Sequence, residues 1–114
     1  MSAAILRSDV YWVDLDPSRG SELAKTRPCI IVSATELNAI RRTVVIVPLT
    51  TTTSPATWPL LIEIPSQGTK SKARIEQIRV IDKSRLKRRM DKVSSADMAH
   101  LESALGLLLR IGDV

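Results

Sequence analysis

The order of hydrophobic and polar positions along the chain predicts a series of short strands. Residues 9–15, 28–33 and 43–49 are apolar and rich in β-branched side chains, as buried or half-buried strands are. Residues 58–64 alternate loosely between apolar and polar side chains and end at a proline, which predicts a fourth strand. Residues 73–82 are typical of two short strands or of one bent strand.

The segments between these strands have the composition of loops and turns. Residues 18–27 are polar, and residues 50–54 are a Thr- and Ser-rich run without periodicity, so both are predicted loops. Residues 34–40 predict one short helical turn, and residues 66–69 predict a tight turn. The strongly basic residues 83–89 predict a short helix or a loop.

A helix is the clearest element and lies near the C-terminus. Ser94 and Asp97 have the spacing of a capping box, with Asp in place of the usual Glu. Gly106 weakens such a helix by about 1 kcal/mol relative to Ala, so we expect close packing at that point. The apolar positions that define one helical face are Met98, Leu101, Leu105, Leu108 and Ile111.

Five or six short strands and one terminal helix predict a mainly β fold with α (α+β). The sheet is expected to be antiparallel and strongly bent, or closed into a small barrel, with the helix against its open side. The chain has 114 residues and no internal repeat, so we expect a single domain over 1–114.

The amino-acid composition indicates the compartment of the protein and limits the catalytic groups it can use. The chain has no apolar run near the ~20 residues that span a bilayer and no signal-peptide pattern, so we expect a cytoplasmic protein without a membrane partner. Its one cysteine, Cys29, lies in an apolar run and is expected to be a buried hydrophobe rather than a catalytic thiol. Its one histidine, His100, allows neither a histidine-pair mechanism nor a histidine-rich metal site within one chain.

The net charge is +5, which suits an anionic partner, either a nucleic acid or an acidic protein. The first long loop concentrates this charge, because Arg19, Lys25 and Arg27 surround Glu22. Arg27 precedes Pro28 and is therefore biased towards an extended conformation, where its guanidinium can hold a phosphate. Judged on charge and spacing alone, a solvated loop with a weak surface ion pair is the favoured interpretation.

Four stretches in order carry a resemblance to a known family. Residues 9–17 resemble its opening strand, and Gly20-Ser21-Glu22 followed by Arg27-Pro28 is similar to its loop signature. Residues 47–50 match a strand that ends in Thr or Ser, and residues 76–82 resemble its Asp/Glu-Gln-Ile-Arg pattern. These stretches cover nearly the whole chain and resemble the MazF/PemK (Kid) toxins, which are sequence-specific endoribonucleases with an SH3-like barrel similar to that of CcdB.

The resemblance implies a reaction and the residues that perform it. Members of this family cut single-stranded RNA, mRNA above all, through attack of the ribose 2′-hydroxyl on the adjacent phosphate, which leaves a cyclic phosphate and a 5′-hydroxyl. Arg27 is then the cation that stabilises the phosphorane, and Thr50 hydrogen-bonds the phosphate. Glu22 acts as the base or orients Arg27. No metal is needed.

The same resemblance suggests the residues that hold the RNA. Lys25 and Arg19 lie in the loop, Gln77 can read a base edge, and Arg79 attracts phosphates. Trp58 is a candidate stacking platform for a base. Further basic side chains either attract phosphates or form a solvated face, namely Arg85, Lys87, Arg88 and Arg89. Trp12 is expected in the core.

The resemblance also implies partners. The family acts as a homodimer, and its cognate antitoxin wraps the toxin with an acidic, largely disordered tail. DNA is then contacted only through the antitoxin complex.

The chain departs from the family pattern at three positions, and two alternative functions remain open. Ser8 and Leu23 replace a usual Gly and Gln, and Lys25 stands where many members have Gly, which bears on RNA preference and rate. One alternative is a non-enzymatic inhibitor of gyrase of the CcdB type. The other is a nucleic-acid-binding barrel without cleavage.

Overall fold

The computed structural model describes residues 4–15 and 26–112. These residues form seven strands, two α-helices and two short 3-10 turns, the turns being Ile75–Gln77 and Lys83–Arg85. The elements in chain order are β1 (Asp9–Asp14), β2 (Thr26–Ile31), α1 (Thr35–Ile40), β3 (Thr43–Thr50), β4 (Leu61–Glu63), β5 (Lys72–Arg74), β6 (Arg79–Asp82), β7 (Leu86–Lys92) and α2 (Ser95–Leu109).

All strand pairs are antiparallel, and the order across the sheet is β4-β5-β3-β2-β1-β7. Strand β3 pairs along one edge with β2, and its other edge is shared by β6 and β5. The expected mainly β fold with a C-terminal helix is confirmed. The sheet is open rather than a closed barrel, because β4 and β7 do not pair with each other in the described part of the chain.

Two hydrophobic clusters lie on opposite faces of the central strands. The helix-side cluster consists of Val10, Ile30, Val47, Leu49, Ile62, Ile64, Ala73, Ile75, Val93, Met98, Leu101 and Ala104. The opposite cluster consists of Val13, Leu15, Cys29, Ile31, Val44, Ile46 and Ile81. Alternate residues of β2 and β3 enter the two clusters in turn, which explains why these strands are apolar at nearly every position.

The basic segment after β6 differs from its prediction as a short helix or loop. Only Lys83–Arg85 forms a 3-10 turn, and the residues that follow form β7, which pairs with β1. Pairing with β1 and the half-burial of Leu86 and Met90 stabilise the strand despite its charges. The fourth strand is also shorter than predicted, because Thr57 accepts backbone hydrogen bonds from Leu60 and Leu61 in a turn that precedes it.

Helix α2 begins where the sequence predicts. The Ser94 hydroxyl accepts a hydrogen bond from the backbone N–H of Asp97 at 3.1 Å, which caps the first turn. Met98, Leu101 and Ala104 are buried against the sheet. None of the helices in the described residues is both long and apolar enough to cross a membrane.

The expectation of close packing at Gly106 is wrong. A Cβ built on Gly106 meets only the carbonyl oxygen of Ile111, at an ordinary 3.8 Å. Replacing Gly106 with Ala is therefore expected to raise the free energy of unfolding, by up to about 1 kcal/mol, because Ala loses less backbone entropy in a helix. Urea denaturation measures the change, and a destabilised Gly106→Ala protein would mean that another surface covers this position.

A buried carboxylate joins β1 to β7. Asp9 is only 1% exposed, and its Oδ1 accepts a hydrogen bond from Arg89 Nε at 3.0 Å. Its other oxygen, Oδ2, accepts from the backbone N–H of Leu6 at 3.2 Å. A charge that has left water needs such a partner, so Arg89 is a structural member of the basic run.

We expect Arg89→Ala to destabilise the fold by about 2–4 kcal/mol, because it leaves the Asp9 carboxylate buried with a single donor. The neighbouring Arg88→Ala is the control and is expected to change stability by less than about 0.5 kcal/mol, since Arg88 is exposed and makes no ion pair among the described residues. Equilibrium unfolding in urea at neutral pH compares the two variants, and equal losses would contradict this assignment.

Candidate active site

Arg27 and Thr50 are brought together by the pairing of β2 with β3. Cys29 lies opposite Pro48 at the end of this ladder, and Arg27 and Thr50 each lie two residues beyond that pair on the two strands. The two predicted catalytic residues are therefore at the same end of the β2–β3 pair.

Both side chains line one cleft of about 410 Å³. Thr50 is 9% exposed, and Arg27 is half-buried. The Nε of Arg27 is buried and has no hydrogen-bond partner among the described residues. A buried donor without an acceptor costs free energy, and a phosphate oxygen entering the cleft would satisfy it.

The turn at residues 66–69 forms another wall of the cleft. Its tip has positive φ at Gln67 and Gly68, and Ser66 pairs with Thr69 across the turn. Asp91 on β7 holds the turn in place, since its Oδ2 accepts from Ser66 Oγ at 3.1 Å and from the Gln67 N–H at 2.8 Å. The two ends of the sheet thus meet through side chains, and the cleft opens beside this contact.

Hydrogen bonds keep the Asp91 carboxylate charged. The backbone N–H of Lys92 has the largest effect and the backbone N–H of Gln67 the next largest, and both lower the pKa of Asp91 below its usual value. The Ser66 hydrogen bond and the charge of Arg89 lower it further. The carboxylate can therefore accept the hydrogen bonds from Ser66 and Gln67 at neutral pH.

Trp12 also lines this cleft, which corrects its prediction as a core residue. It is only half-buried, and its indole Nε1 is buried without a hydrogen-bond partner in the part of the chain that the structure describes. Neither the turn at residues 66–69 nor Trp12 was predicted at the site. The only signal for Trp12 in the sequence is its place beside the loop that leads to Arg27.

Arg79 begins β6, which pairs with the edge of β3 opposite β2, and it does not line the Arg27 cleft.

Burial raises the pKa of the Cys29 thiol to about 12, and the charges of Arg79 and Arg27 act against this shift. Cys29 is thus an inert, buried thiol, as expected, and its Sγ–H donates to the Arg27 carbonyl at 3.6 Å.

Gln77 ends a 3-10 turn and is half-buried, and it does not line the cleft. Arg74 precedes that turn, and its Nε is a further buried donor with no partner among residues 4–15 and 26–112. Arg74 was not predicted at the site, because nothing in the sequence pattern distinguishes it from an ordinary strand residue.

Trp58 lies outside the cleft. It is 49% exposed, and its ring stacks on His100 of α2 at a centroid distance of 5.0 Å and an interplanar angle of 29°. Trp58 and His100 share a shallow depression with Glu63, away from the residues that line the Arg27 cleft. A stacking role for Trp58 beside Thr50 therefore has no support in this arrangement.

Three predicted site residues fall in segment 16–25, outside the described residues: Glu22, Lys25 and Arg19. Among the residues that are described, no group of three His, Cys, Asp or Glu side chains is placed to hold a metal ion.

Known proteins resemble this chain over nearly its full length. Residues 6–109 match the family of PemK-like, MazF-like toxins of type II toxin–antitoxin systems. The endoribonuclease MazF9 of Mycobacterium tuberculosis is 37% identical over 111 residues, which are 90% of this chain and 94% of that protein. The endoribonuclease MazF of Staphylococcus epidermidis is 34% identical over 113 residues, 96% of this chain and 94% of that protein.

A solved structure agrees with these relatives. An endoribonuclease in complex with its cognate antitoxin from a mycobacterial species superposes with a TM-score of 0.78 at 26% identity, covering 99% of this chain and 100% of that one. The chain therefore belongs to the PemK-like, MazF-like toxins of type II toxin–antitoxin systems, and it is an endoribonuclease.

Because Cys29 is buried, the free energy of unfolding is expected to decrease as the pH becomes alkaline. In the unfolded chain the thiol ionises near its ordinary value of 9.0, whereas in the fold its pKa is raised to about 12. The contribution of Cys29 is complete below pH 9 and is lost as the pH rises towards 12, because the unfolded state releases its proton first. We expect a loss of up to about 1.4 kcal/mol per pH unit in this window.

Urea unfolding of the wild type and of Cys29→Ala at several pH values between 8 and about 11 measures this contribution. The wild type is expected to lose stability more steeply than Cys29→Ala, since both proteins share every other titrating group. Parallel curves would contradict the assignment.

Proposed function

We propose that this endoribonuclease cuts single-stranded RNA, mRNA above all, at a recurring short sequence, independently of the ribosome. The bond breaks when the ribose 2′-hydroxyl attacks the adjacent phosphate, which yields a 2′,3′-cyclic phosphate and a 5′-hydroxyl. The observation that carries the proposal is the buried, unpartnered Nε of Arg27 beside Thr50 in one cleft, as found within the described residues.

Arg27 stabilises the charge that develops on the phosphate. Its guanidinium stays protonated throughout, so it acts as a fixed cation and hydrogen-bond donor rather than as a base. Its Nε already lies desolvated at the cleft, so no protein hydrogen bond found in the structure must break when the phosphate enters. Thr50 lines the same cleft and orients the same phosphate through its hydroxyl.

Glu22 serves as the base for the 2′-hydroxyl or orients Arg27, and this role rests on the sequence resemblance alone. The reaction as proposed uses neither a metal nor another cofactor, since Arg27 supplies the charge that stabilises the transition state.

The RNA strand extends beyond the reacting phosphate. Arg79, exposed at the start of β6, is proposed as one contact for this part of the strand. Lys25 and Arg19 in the loop and Gln77 at the end of the 3-10 turn are proposed as further RNA contacts. Trp58 remains a prediction, at a position remote from the cleft.

The proposed partners follow from the family and its solved structures. The chain acts as a homodimer in the cytoplasm, and a cognate antitoxin neutralises it with an acidic, disordered tail that suits the net charge of +5. It reaches DNA only as part of the antitoxin complex.

Arg27→Ala is expected to lower RNA cleavage by at least about 100-fold, because it removes the cation that stabilises the transition state. Arg27→Lys keeps the charge but loses the planar set of donors, so only a small part of the activity is expected to return. Purified proteins are incubated with a long single-stranded RNA in excess EDTA, and the ends of the products are mapped. Arg42→Ala serves as the control, since its side chain is 91% exposed and lies near the opposite end of β3.

Cuts at one recurring sequence with cyclic-phosphate ends, lost in Arg27→Ala alone, would support the proposal. Intact RNA with a folded wild-type protein would overturn it. Cleavage that EDTA abolishes would contradict the metal-independent reaction, and equal cleavage by Arg27→Ala would remove Arg27 from the site.

A further inference from the structure

The four basic residues between Arg85 and Arg89, which lead from the 3-10 turn into β7, are divided between structural and free side chains. Arg85 donates to the Asp14 carbonyl at 3.1 Å, and Arg89 pairs with the buried Asp9. The side chains of Lys87 and Arg88 are exposed and take part in none of the ion pairs or side-chain hydrogen bonds found among the described residues. Two of these four cations are therefore available to a ligand.

A bulge in the pairing of β1 with β7 brings these two cations side by side. Trp12 lies opposite Arg88, and the next residue of β1, Val13, lies opposite Leu86, so Lys87 is an extra residue without a partner. Bulges of this kind change the direction in which a side chain points and often occur near binding sites. Both cations border one shallow depression together with Trp12 and Thr26.

The same Trp12 and Thr26 also line the Arg27 cleft, so the two concave surfaces adjoin. Arg88 and Pro28 lie opposite Trp12 on its two sides, two strand spacings or about 10 Å apart. A nucleic-acid strand whose reacting phosphate contacts Arg27 has a direct path across Trp12 to Lys87 and Arg88. The buried indole N–H of Trp12, without an acceptor in the described residues, lies on that path.

We propose that Lys87 and Arg88 form a second phosphate subsite, which binds the RNA backbone on the far side of Trp12 from the reacting phosphate. This inference rests on the proposed function, because it assigns the substrate as RNA held at Arg27. The subsite adds affinity and no chemistry: the two cations release counterions from the strand, and the Trp12 N–H donates to an RNA oxygen or base acceptor.

The test compares two double variants that remove the same charge. Lys87→Ala/Arg88→Ala removes the proposed subsite, and Arg41→Ala/Arg42→Ala removes two exposed cations near the other end of β3, an eight-residue strand that spans about 23 Å. Each protein is assayed on an RNA with long flanks and on an RNA trimmed to the cleavage site. Binding is measured by fluorescence anisotropy with the same changes made in Arg27→Ala, which prevents cleavage.

On the flanked RNA the subsite variant is expected to raise KM and Kd roughly 10-fold, with the larger effect on KM than on kcat. Its plot of log affinity against log salt should lose about 1.4 in slope, since each phosphate contact of a single strand contributes about 0.7. The rise in KM and Kd should be smaller on the trimmed RNA. The variant Lys87→Arg/Arg88→Lys keeps both charges and should bind RNA like the wild type. The control variant should bind and cleave like the wild type.

Several results would overturn the inference. If the wild type cuts at a recurring sequence and the two double variants behave alike, the subsite does not exist although the proposed function stands. Charged residues on an edge strand also prevent sheets from associating, so a subsite variant that aggregates yet binds RNA normally would assign Lys87 and Arg88 to that role instead. Loss of binding to poly-glutamate but not to RNA would assign them to an acidic peptide, and a wild type that cuts no RNA would overturn the proposed function with the inference.

Discussion

The pairing of β2 with β3 is the constraint on which the rest of the structure depends. Both strands are buried on both faces, so alternate side chains enter the helix-side cluster and the opposite cluster. A slip of one residue would exchange these two sets, which makes the register strongly specified. Arg27 and Thr50 lie at the end of the same pair. The geometry of the cleft is thus fixed by the apolar packing of these two strands.

Much of the fold follows from local sequence patterns, and the exceptions have identifiable causes. Strands β1 to β3 and helix α2 are predicted because burial demands long apolar runs or a regular helical face. Strand β7 is missed because four of its seven side chains are basic, and its pairing with β1 is visible only in three dimensions. The choice between a bent open sheet and a closed barrel was left undecided for the same reason, since local sequence does not reveal whether the two edge strands meet.

The site was predictable in part. The family resemblance singles out Arg27 and Thr50, and the structure places both in the lining of one cleft. The turn at residues 66–69 was predicted as a turn but not as a wall of the cleft, because its place depends on Asp91, which lies 24 residues beyond Gln67. Trp12 was assigned to the core since a strand tryptophan is usually buried. The roles of Glu22, Lys25 and Arg19 remain predictions from the sequence.

The division of the site between two neighbouring strands has a consequence for the time at which the chain becomes harmful. Arg27 leaves the ribosome well before Thr50, and neither residue alone forms the cleft. The cleft also needs Met90 of β7, which is synthesised after both of them. A nascent copy without β7 therefore lacks part of the cleft, and we expect activity only after β7 has been made and the sheet has assembled. The cell that makes such a protein has this interval in which to provide the molecule that restrains it.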